Sequence, residues 1–348
     1  MTRFTIKRPH GFRLAAATDF YLGFAPGSGM AAAAVDRLTL AFRLDRTFEA
    51  VAAALHEDGE TIVVEAAGSD DAAAIEKQIA RMLGLDVNGD AWLALGEKNA
   101  LVGKLQNAFP GFFTAAKASP YDAATWAVIA PRMNMKQASN IKMAIARELG
   151  NTVELHGKTH HVFPTPRALA QLERFPGLSD EKVARLRAVA EAATNGLTDS
   201  HEGVARESRG LTDSHEGLLD ADHLRAMKTD DALRELQKIR GVGPWAASHI
   251  YFRGAALPDV LPTVEPRVLH GYAAAAGVDV PSEGEFEIVA ESWRPFRMWV
   301  CVLLSRHLAR TDKWRAPALR KERAASAKAL TQKLQKKARR APMAAPHE

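Results

Sequence analysis

Cysteine is almost missing from this sequence, in which Cys301 is the only one among 348 residues. A single thiol excludes an intramolecular disulfide, a zinc site built from cysteines and a four-cysteine iron–sulfur cluster. This composition is typical of a reducing compartment, so we expect a cytoplasmic protein. Cys301 lies in the apolar run 299–304, which predicts a buried and unreactive thiol rather than a nucleophile.

Long apolar segments are missing as well. The sequence has no run of about 18 or more uncharged apolar residues, and we therefore expect no membrane span. The first 11 residues carry four basic or histidine side chains without an apolar core, so we do not expect a secretory signal. With 47% hydrophobic and 25% charged residues, the composition is that of a globular protein, and the length predicts two or three domains.

Positive charge is scarce outside the C-terminus. The formal net charge is +5, but from Thr311 onward 11 Lys and Arg residues face three Asp and Glu residues, so this tail carries +8. The rest of the chain is therefore slightly acidic, and its overall charge is weak support for nucleic-acid binding. The tail either binds phosphates non-specifically or is a solvated or disordered end.

Two segments in the first hundred residues have the pattern of strands. Residues 37–44 alternate apolar and polar side chains, and residues 60–65 form a short β-branched run. Helical patterns occupy the alanine-rich residues 48–56 and residues 70–83. These patterns predict a small α+β domain with an antiparallel sheet.

After about Lys117 the pattern becomes almost wholly helical. We predict helices at 119–126, 135–149, 166–175, 179–194, 220–226, 230–238, 244–252, 266–276 and 297–310. The sequence therefore predicts an α+β domain over 1–112, an all-α domain over 113–310 and a basic tail over 311–348.

One octapeptide, Gly-Leu-Thr-Asp-Ser-His-Glu-Gly, occurs at 196–203 and again at 210–217. Two copies are too few for a solenoid, which needs a longer stack of repeats. Its side chains include types that bind metals, but loops absorb insertions at low cost. A tandem duplication within a surface loop over 196–217 is therefore the simpler interpretation.

The segment 236–254 contains a tight turn between two predicted helices. One helix ends near Arg240, Gly241-Val242-Gly243 forms the turn, and Pro244 occupies the first position of the next helix. Glycine permits positive φ and close backbone approach. The turn amides and the helix N-terminus point the same way and form an anion site suited to a DNA phosphate. Taken alone, a Gly-x-Gly turn is also a common connector between helices.

Several short motifs surround this turn in a fixed order. They are Phe163-Pro-Thr-Pro166, the turn with Trp245, Arg253-Gly254, Asp259-Val-Leu-Pro262, Glu265 and Trp293-Arg-Pro-Phe-Arg297. In order and approximate spacing they resemble the helix-hairpin-helix DNA glycosylase superfamily, most closely its bacterial 3-methyladenine glycosylase branch. The resemblance covers about residues 119–310. It implies an α+β protein with an N-terminal TATA-binding-protein-like domain, resembled more loosely, followed by an all-α helix-hairpin-helix glycosylase domain.

The resemblance also implies an activity. Members of this family flip a damaged base out of duplex DNA and cut its glycosidic bond, so we expect a monomeric, nucleoid-associated enzyme that excises alkylated purines without a metal or cofactor. A damage-binding module of the same fold that has lost its chemistry is the alternative, because a fold does not fix a function. A nuclease would need a cluster of metal-binding carboxylates, which the sequence does not present.

Glu265 occupies the position where the family normally has its catalytic Asp. A carboxylate there stabilises the oxocarbenium character that develops on the sugar and orients or deprotonates water. Pro266 is expected to begin a helix, whose dipole would keep the carboxylate ionised. Glutamate is one methylene longer than aspartate, so Glu265 marks a reshaped pocket, weakened or lost catalysis, or a plain surface residue.

The pocket residues are implied by the same resemblance. Trp245 stands where bifunctional members carry a Schiff-base lysine, which implies a monofunctional enzyme that leaves an abasic site. Trp245 suits stacking against a flipped, electron-poor base, although helix packing is an equally simple role. His249, one turn further on, and Phe20 in the N-terminal domain are further pocket candidates.

The turn at 129–134 is a second departure from the family pattern. Pro131 and Arg132 replace a Gln and an apolar wedge that fill the gap left by the flipped nucleotide. Arg132 or Met133 is the candidate to intercalate in their place. A simple turn between helices is the alternative.

Overall fold

An antiparallel sheet forms the N-terminal part of the protein. The computed structural model describes residues 1–23, 31–34, 37–113, 116–194, 217–261 and 266–311. The strands of the sheet are β1 (Thr2–Lys7), β2 (Ala31–Ala34), β3 (Arg37–Arg43), β4 (Ala50–Asp58) and β5 (Thr61–Ala67). Their order is β1-β5-β4-β3-β2, and each neighbouring pair is antiparallel. The helices that follow or interrupt these strands are α1 (Leu14–Gly23), α2 (Ala72–Leu83), α3 (Gly89–Lys98) and α4 (Ala100–Ala108). The predicted α+β class with an antiparallel sheet is confirmed.

Side-chain caps begin α2, α3 and α4, at Asp71, Asn88 and Asn99. In α2, the Asp71 side chain caps the N-terminus by accepting a hydrogen bond from the Ala74 amide at 2.9 Å, and Gly84 ends the helix with φ of +71°. The sequence did not predict α3 and α4, because glycine lowers the helix propensity of both. These glycines lie where the two helices meet, since a Cβ on Gly103 would come within 2.5 Å of the Gly96 carbonyl oxygen.

The prediction of a helix at 48–56 is wrong, because this alanine-rich segment is part of β4. The strand pairs with β3 on one side and with β5 on the other. Val51 and Leu55 pack into the core beneath the sheet, whereas Ala52 and Ala54 pack against a second layer on the opposite face. Pairing on both edges and burial on both faces override the helix propensity of alanine.

The rest of the described chain is mostly helical. Its helices are α5 (Pro120–Ile129), α6 (Met135–Leu149), α7 (Pro166–Ala170), α8 (Asp180–Thr194), α9 (Ala221–Ala226), α10 (Thr229–Gln237), α11 (Pro244–His249), α12 (Pro266–Ala276), α13 (Glu283–Glu291) and α14 (Arg297–Arg310). A π-helical segment, Ile250–Gly254, continues α11. The bounds of α6, α12 and α14 agree with the prediction, α7 ends earlier than predicted, and α13 was not predicted.

The expectation of an all-α region after residue 113 is wrong at one place. An antiparallel hairpin of β6 (Asn151–Leu155) and β7 (Lys158–Val162) stands between α6 and α7. Its apolar side chains are the second layer that covers β4. The hairpin escapes sequence patterns because its apolar positions, Val153, Leu155 and Val162, are few and gain their stability from a sheet about a hundred residues earlier in the chain.

Two large apolar cores organise the molecule. The first lies between the sheet, α2–α4 and α12–α14, where Trp299 packs edge-on against Trp92 at 5.3 Å between ring centroids. Cys301 is buried in this core, as predicted. The second core joins α5, α6, α8, α10 and α11. Leu257 and Val260 pack against the second core, whereas Leu261 packs against the first.

Several predictions fall on segments that the structure does not describe. Glu265 is one of them, together with all but the last residue of the duplicated loop and all but the first residue of the basic tail. Among the described residues, no helix has the length and apolar character that crossing a membrane requires.

Candidate functional site

The Gly-x-Gly turn joins α10 to α11 in the conformation that its sequence suggests. Gly241 has φ of +85°, in the region that favours glycine, whereas Gly243 is extended with φ of −86°. The Val242 amide donates to the Ile239 carbonyl at 2.9 Å, and its side chain is buried, so Val242 anchors the turn. A Cβ added to Gly243 would meet no atom within 4 Å. The two glycines are exposed, and among the described residues neither of their amides has a hydrogen-bond acceptor.

Residues in the first turns of α8 pack against the glycine turn. A Cβ on Gly241 would lie 2.3 Å from Cδ of Arg185. Glu181 accepts a hydrogen bond from Arg185 Nε at 2.9 Å and another from Arg240 Nη2 at 3.1 Å. These hydrogen bonds and the charge of Arg240 hold the pKa of the Glu181 carboxyl below its usual value. The hydrogen bonds to Glu181 hold Arg185 and Arg240 next to the glycine turn. Positive side chains in this place favour the binding of a phosphate.

Trp245 and His249 form a stacked pair on α11. Their ring centroids are 5.3 Å apart and the planes differ by 15°, as the i,i+4 spacing permits. The Trp245 side chain is 37% exposed, which is unusual for a tryptophan. The pair therefore offers a planar aromatic surface next to the open turn.

His249 is held neutral by its surroundings. Its Nε2 atom is buried, and among the described residues it has no hydrogen-bond partner. Burial lowers the pKa of His249 well below its usual value, and the nearby cations Lys117, Arg253 and Lys142 lower it further. Neutral His249 therefore adds no positive charge to this part of the site.

A buried charge cluster lies behind His249. Lys142 Nζ donates to Asp122 Oδ1, and Lys117 Nζ lies 3.9 Å from Asp122 Oδ2. Burial alone would raise the pKa of Asp122, but the two lysines outweigh it and lower that pKa. Burial also lowers the pKa of Lys117 well below its usual value. Sequence reasoning missed this cluster, although Lys142 lies on the apolar face of α6 with Ala138 and Ile145.

Phe20 lies beneath two arginine side chains, Arg253 and Arg306. It is buried, it packs against Phe112 at 5.6 Å between centroids, and the guanidinium groups of Arg253 and Arg306 lie 5.5 and 5.3 Å from its ring. Arg253 thus contacts Phe20 and also influences His249. The structure brings Trp245 and His249 into direct contact, and it places Phe20 in the first core beneath Arg253 and Arg306.

The α5–α6 turn, residues 130–134, is exposed and held in a left-handed conformation. Arg132 has φ of +62°, which is uncommon for a residue with a Cβ. The Met133 amide donates to the Ala130 carbonyl at 3.2 Å, and Asn134 caps α6. Arg132 is exposed, while Met133 is half-buried against the second core.

Two motifs that the sequence presents separately are joined in the structure. Asp259 accepts from Arg297 Nε at 2.7 Å and from Arg294 Nη1 at 2.8 Å, and the Met298 amide donates to the Pro258 carbonyl at 3.0 Å. The start of the connection to α12 is therefore fixed. Helix α12 begins at Pro266, as predicted, directly after Glu265.

Comparisons with known proteins agree with this architecture. No family model matches the chain. It is 23% identical to the DNA-3-methyladenine glycosylase of Bacillus subtilis (strain 168) over 189 residues, which are 54% of this chain and 57% of the relative. It is 29% identical to a probable bifunctional transcriptional activator/DNA repair enzyme AlkA of Mycobacterium tuberculosis over 225 residues, 63% of this chain and 40% of that protein. The matched part thus spans about half of each relative.

A solved structure shares the fold over most of the chain. The 3-methyladenine DNA-glycosylase from Archaeoglobus fulgidus superposes with a TM-score of 0.67 at 19% identity, and the match covers 90% of this chain and 99% of that one. Because almost all of that chain is covered, the two proteins share both the N-terminal sheet and the helical part.

Proposed function

We propose that the chain is a helix-hairpin-helix DNA glycosylase that hydrolyses the N-glycosidic bond of alkylated purines, of the 3-methyladenine type, in duplex DNA. The observation that carries the proposal is the exposed Trp245, stacked on His249, two residues after the open Gly241–Gly243 turn. A phosphate anchor and an aromatic platform close together in the chain suit an enzyme that binds the DNA backbone and stacks a flipped base.

The glycine turn holds the DNA backbone. The Gly241 and Gly243 amides donate to a phosphate, and Arg240 and Arg185 add positive charge beside it. The Val242 amide takes no part because it is bonded within the turn. This anchor binds every DNA sequence equally and sets the register for the rest of the site.

The flipped base stacks on Trp245. Alkylation at a ring nitrogen makes a purine cationic, and a cation is attracted to the face of an indole ring. Neutral His249 stacks against the other side of the indole and so holds Trp245 in place. Protonating His249 would add a fourth cation to Lys117, Arg253 and Lys142 and repel such a base.

Glu265 supplies the carboxylate of the reaction. Hydrolysis leaves positive charge on the sugar as the base departs, and the carboxylate stabilises that charge and orients the attacking water. Support for this role comes from both flanks of the residue: Asp259 is fixed by Arg294 and Arg297, and α12 begins directly after Glu265. The helix dipole favours a negative charge at the start of α12.

The chemistry is proposed to be monofunctional. A lyase needs an amine that can reach C1′ of the flipped nucleotide. Trp245 stands on α11 where the resemblance puts the Schiff-base lysine of a lyase. The nearby Lys117 and Lys142 are buried and face Asp122. Water is therefore the nucleophile, and the product is an intact strand with an abasic site.

The test of this proposal is base release without strand cleavage. The protein is incubated with a duplex that carries a methylated purine, and free base and strand breaks are measured separately. We expect base release, with breaks only after alkali or an abasic endonuclease. A protein–DNA adduct trapped by borohydride would contradict the monofunctional mechanism, and the absence of release from every alkylated substrate would contradict the glycosylase activity.

The left-handed backbone of Arg132 in the α5–α6 turn leads to a separate prediction. Its positive φ costs about 1 kcal/mol relative to glycine, so Arg132→Gly is expected to raise the thermal unfolding midpoint, whereas Arg132→Ala retains the strain. Both variants are expected to excise more slowly, because both lack the side chain that fills the gap in the duplex. Equal midpoints for the two variants would show that no strain is stored, and unchanged excision would show that Arg132 does not enter the DNA.

A further inference from the structure

Lys182, in the first turn of α8, holds the end of α5. Its Nζ atom donates to the Ile129 carbonyl at 2.6 Å and to the Pro131 carbonyl at 2.9 Å. Ile129 is the last residue of α5, so its carbonyl has no partner within the helix. One ammonium group with three donors thus bridges two backbone acceptors on either side of Ala130. The α5–α6 turn is in this way attached to α8.

The same stretch of α8 also supports the glycine turn. Glu181 precedes Lys182 and binds Arg185 and Arg240, and Arg185 packs beneath Gly241. Four residues of helix span about 6 Å. The attachments of the α5–α6 turn and of the glycine turn are therefore separated by little more than one turn of a rigid element.

Burial and neighbouring positive charges disfavour the protonated form of Lys182 that makes these hydrogen bonds. Burial lowers the pKa of Lys182, and the positive charges of Arg132 and Arg185 lower it further. Lys182, Arg132 and Arg185 therefore carry positive charge around the two turns, and Glu181 offsets part of it through its bond to Arg185. An approaching phosphate reduces their mutual repulsion, so the arrangement suits a surface that meets DNA.

We propose that Lys182 is a positioning residue that fixes the α5–α6 turn relative to the glycine turn, so that the wedge enters the duplex at a set distance from the anchored phosphate. This inference rests on the proposed function. Because the turn is placed before DNA arrives, binding does not have to order it. Loss of the tether is expected to impair base flipping much more than DNA binding, since a displacement of about 1 Å costs on the order of a hundredfold in a positioned reaction.

The experiment compares Lys182→Met, Lys182→Arg and Lys136→Met with the unaltered protein. Lys136 is an exposed lysine in the first turn of α6, so its loss removes one charge next to the same turn without touching the tether. Two quantities are measured: affinity for undamaged duplex, and the fluorescence of 2-aminopurine placed beside a tetrahydrofuran abasic-site analogue at saturating protein. Single-turnover excision and the thermal unfolding midpoint are recorded in parallel.

We expect Lys182→Met to lose most of the 2-aminopurine signal and to excise on the order of a hundredfold more slowly, with an affinity like that of Lys136→Met. Lys182→Arg keeps the positive charge and has N–H donors for both carbonyls, so it should restore both signals. Equal fluorescence in Lys182→Met and Lys136→Met would overturn the inference, as would a parallel loss of affinity and unfolding midpoint in both Lys182 variants. If the unaltered protein raises the fluorescence but releases no base, the proposed function fails, and the fluorescence comparison still decides the role of Lys182.

Discussion

Glu265→Gln is expected to lower the single-turnover rate of base excision by about a hundredfold or more, as happens when an electrostatic contact to the transition state is lost. The substitution removes the negative charge and keeps nearly the same shape. Affinity for damaged duplex should hold or increase, because a carboxylate close to the phosphates has gone. The measurement is excision with enzyme in excess over a methylated duplex, together with binding to the same duplex.

Glu265→Asp shows what the longer side chain does. If the site keeps the geometry for which the family uses aspartate, the Asp variant should match or exceed the unaltered protein. If the pocket has been reshaped around glutamate, the Asp variant should be slower, since the carboxylate is withdrawn by about 1 Å. Should all three proteins bind DNA and release no base, the chain is a damage-binding module and not an enzyme.

Gly243→Val is expected to weaken duplex binding about ten- to a hundredfold, as expected for the loss of one or two charge-assisted hydrogen bonds to a phosphate. The added side chain meets no atom within 4 Å in the protein, and φ of −86° suits any residue. The fold should therefore tolerate the change, and the valine should fill the space that the phosphate needs. Affinity is measured by fluorescence anisotropy, and stability by thermal unfolding.

Gly284→Val is the matched control for this prediction. Gly284 lies in the first turn of α13, is exposed, and likewise meets nothing within 4 Å. It should show the same small change in stability and no change in DNA affinity. If Gly243→Val and Gly284→Val bind duplex equally well, the glycine turn is not the anchor.

Gly241→Ala differs from these variants in a way that the structure explains. Its φ of +85° is strained for any residue with a Cβ, and the new atom would crowd Arg185. We expect a loss of about 1–2 kcal/mol in stability, the cost of a left-handed backbone, in addition to weaker binding. A stability equal to that of Gly243→Val would mean that the turn relaxes without cost.

The sequence by itself determined those parts of the site that depend on neighbours a few residues apart. Glycine adopts positive φ without strain, which predicts the turn at Gly241. Proline is favoured at the first position of a helix, which predicts that α11 begins at Pro244. The four-residue spacing on one helix allows Trp245 to stack on His249. Helices such as α6 and α12 begin and end at their predicted residues because capping residues and proline act locally.

Only the tertiary structure decided the contacts between distant segments. Helix propensity favoured a helix in the alanine run of β4, but strand pairing on both edges and burial on both faces made it a strand. The Asp259–Arg297 pair joins residues 38 positions apart, and the hydrogen bond from Lys182 to the Ile129 carbonyl spans 53. The buried Asp122–Lys142 pair likewise joins α5 to α6. A buried charge is stable only when a group of opposite charge lies next to it. That group comes from a distant part of the chain, so the local sequence pattern does not predict it.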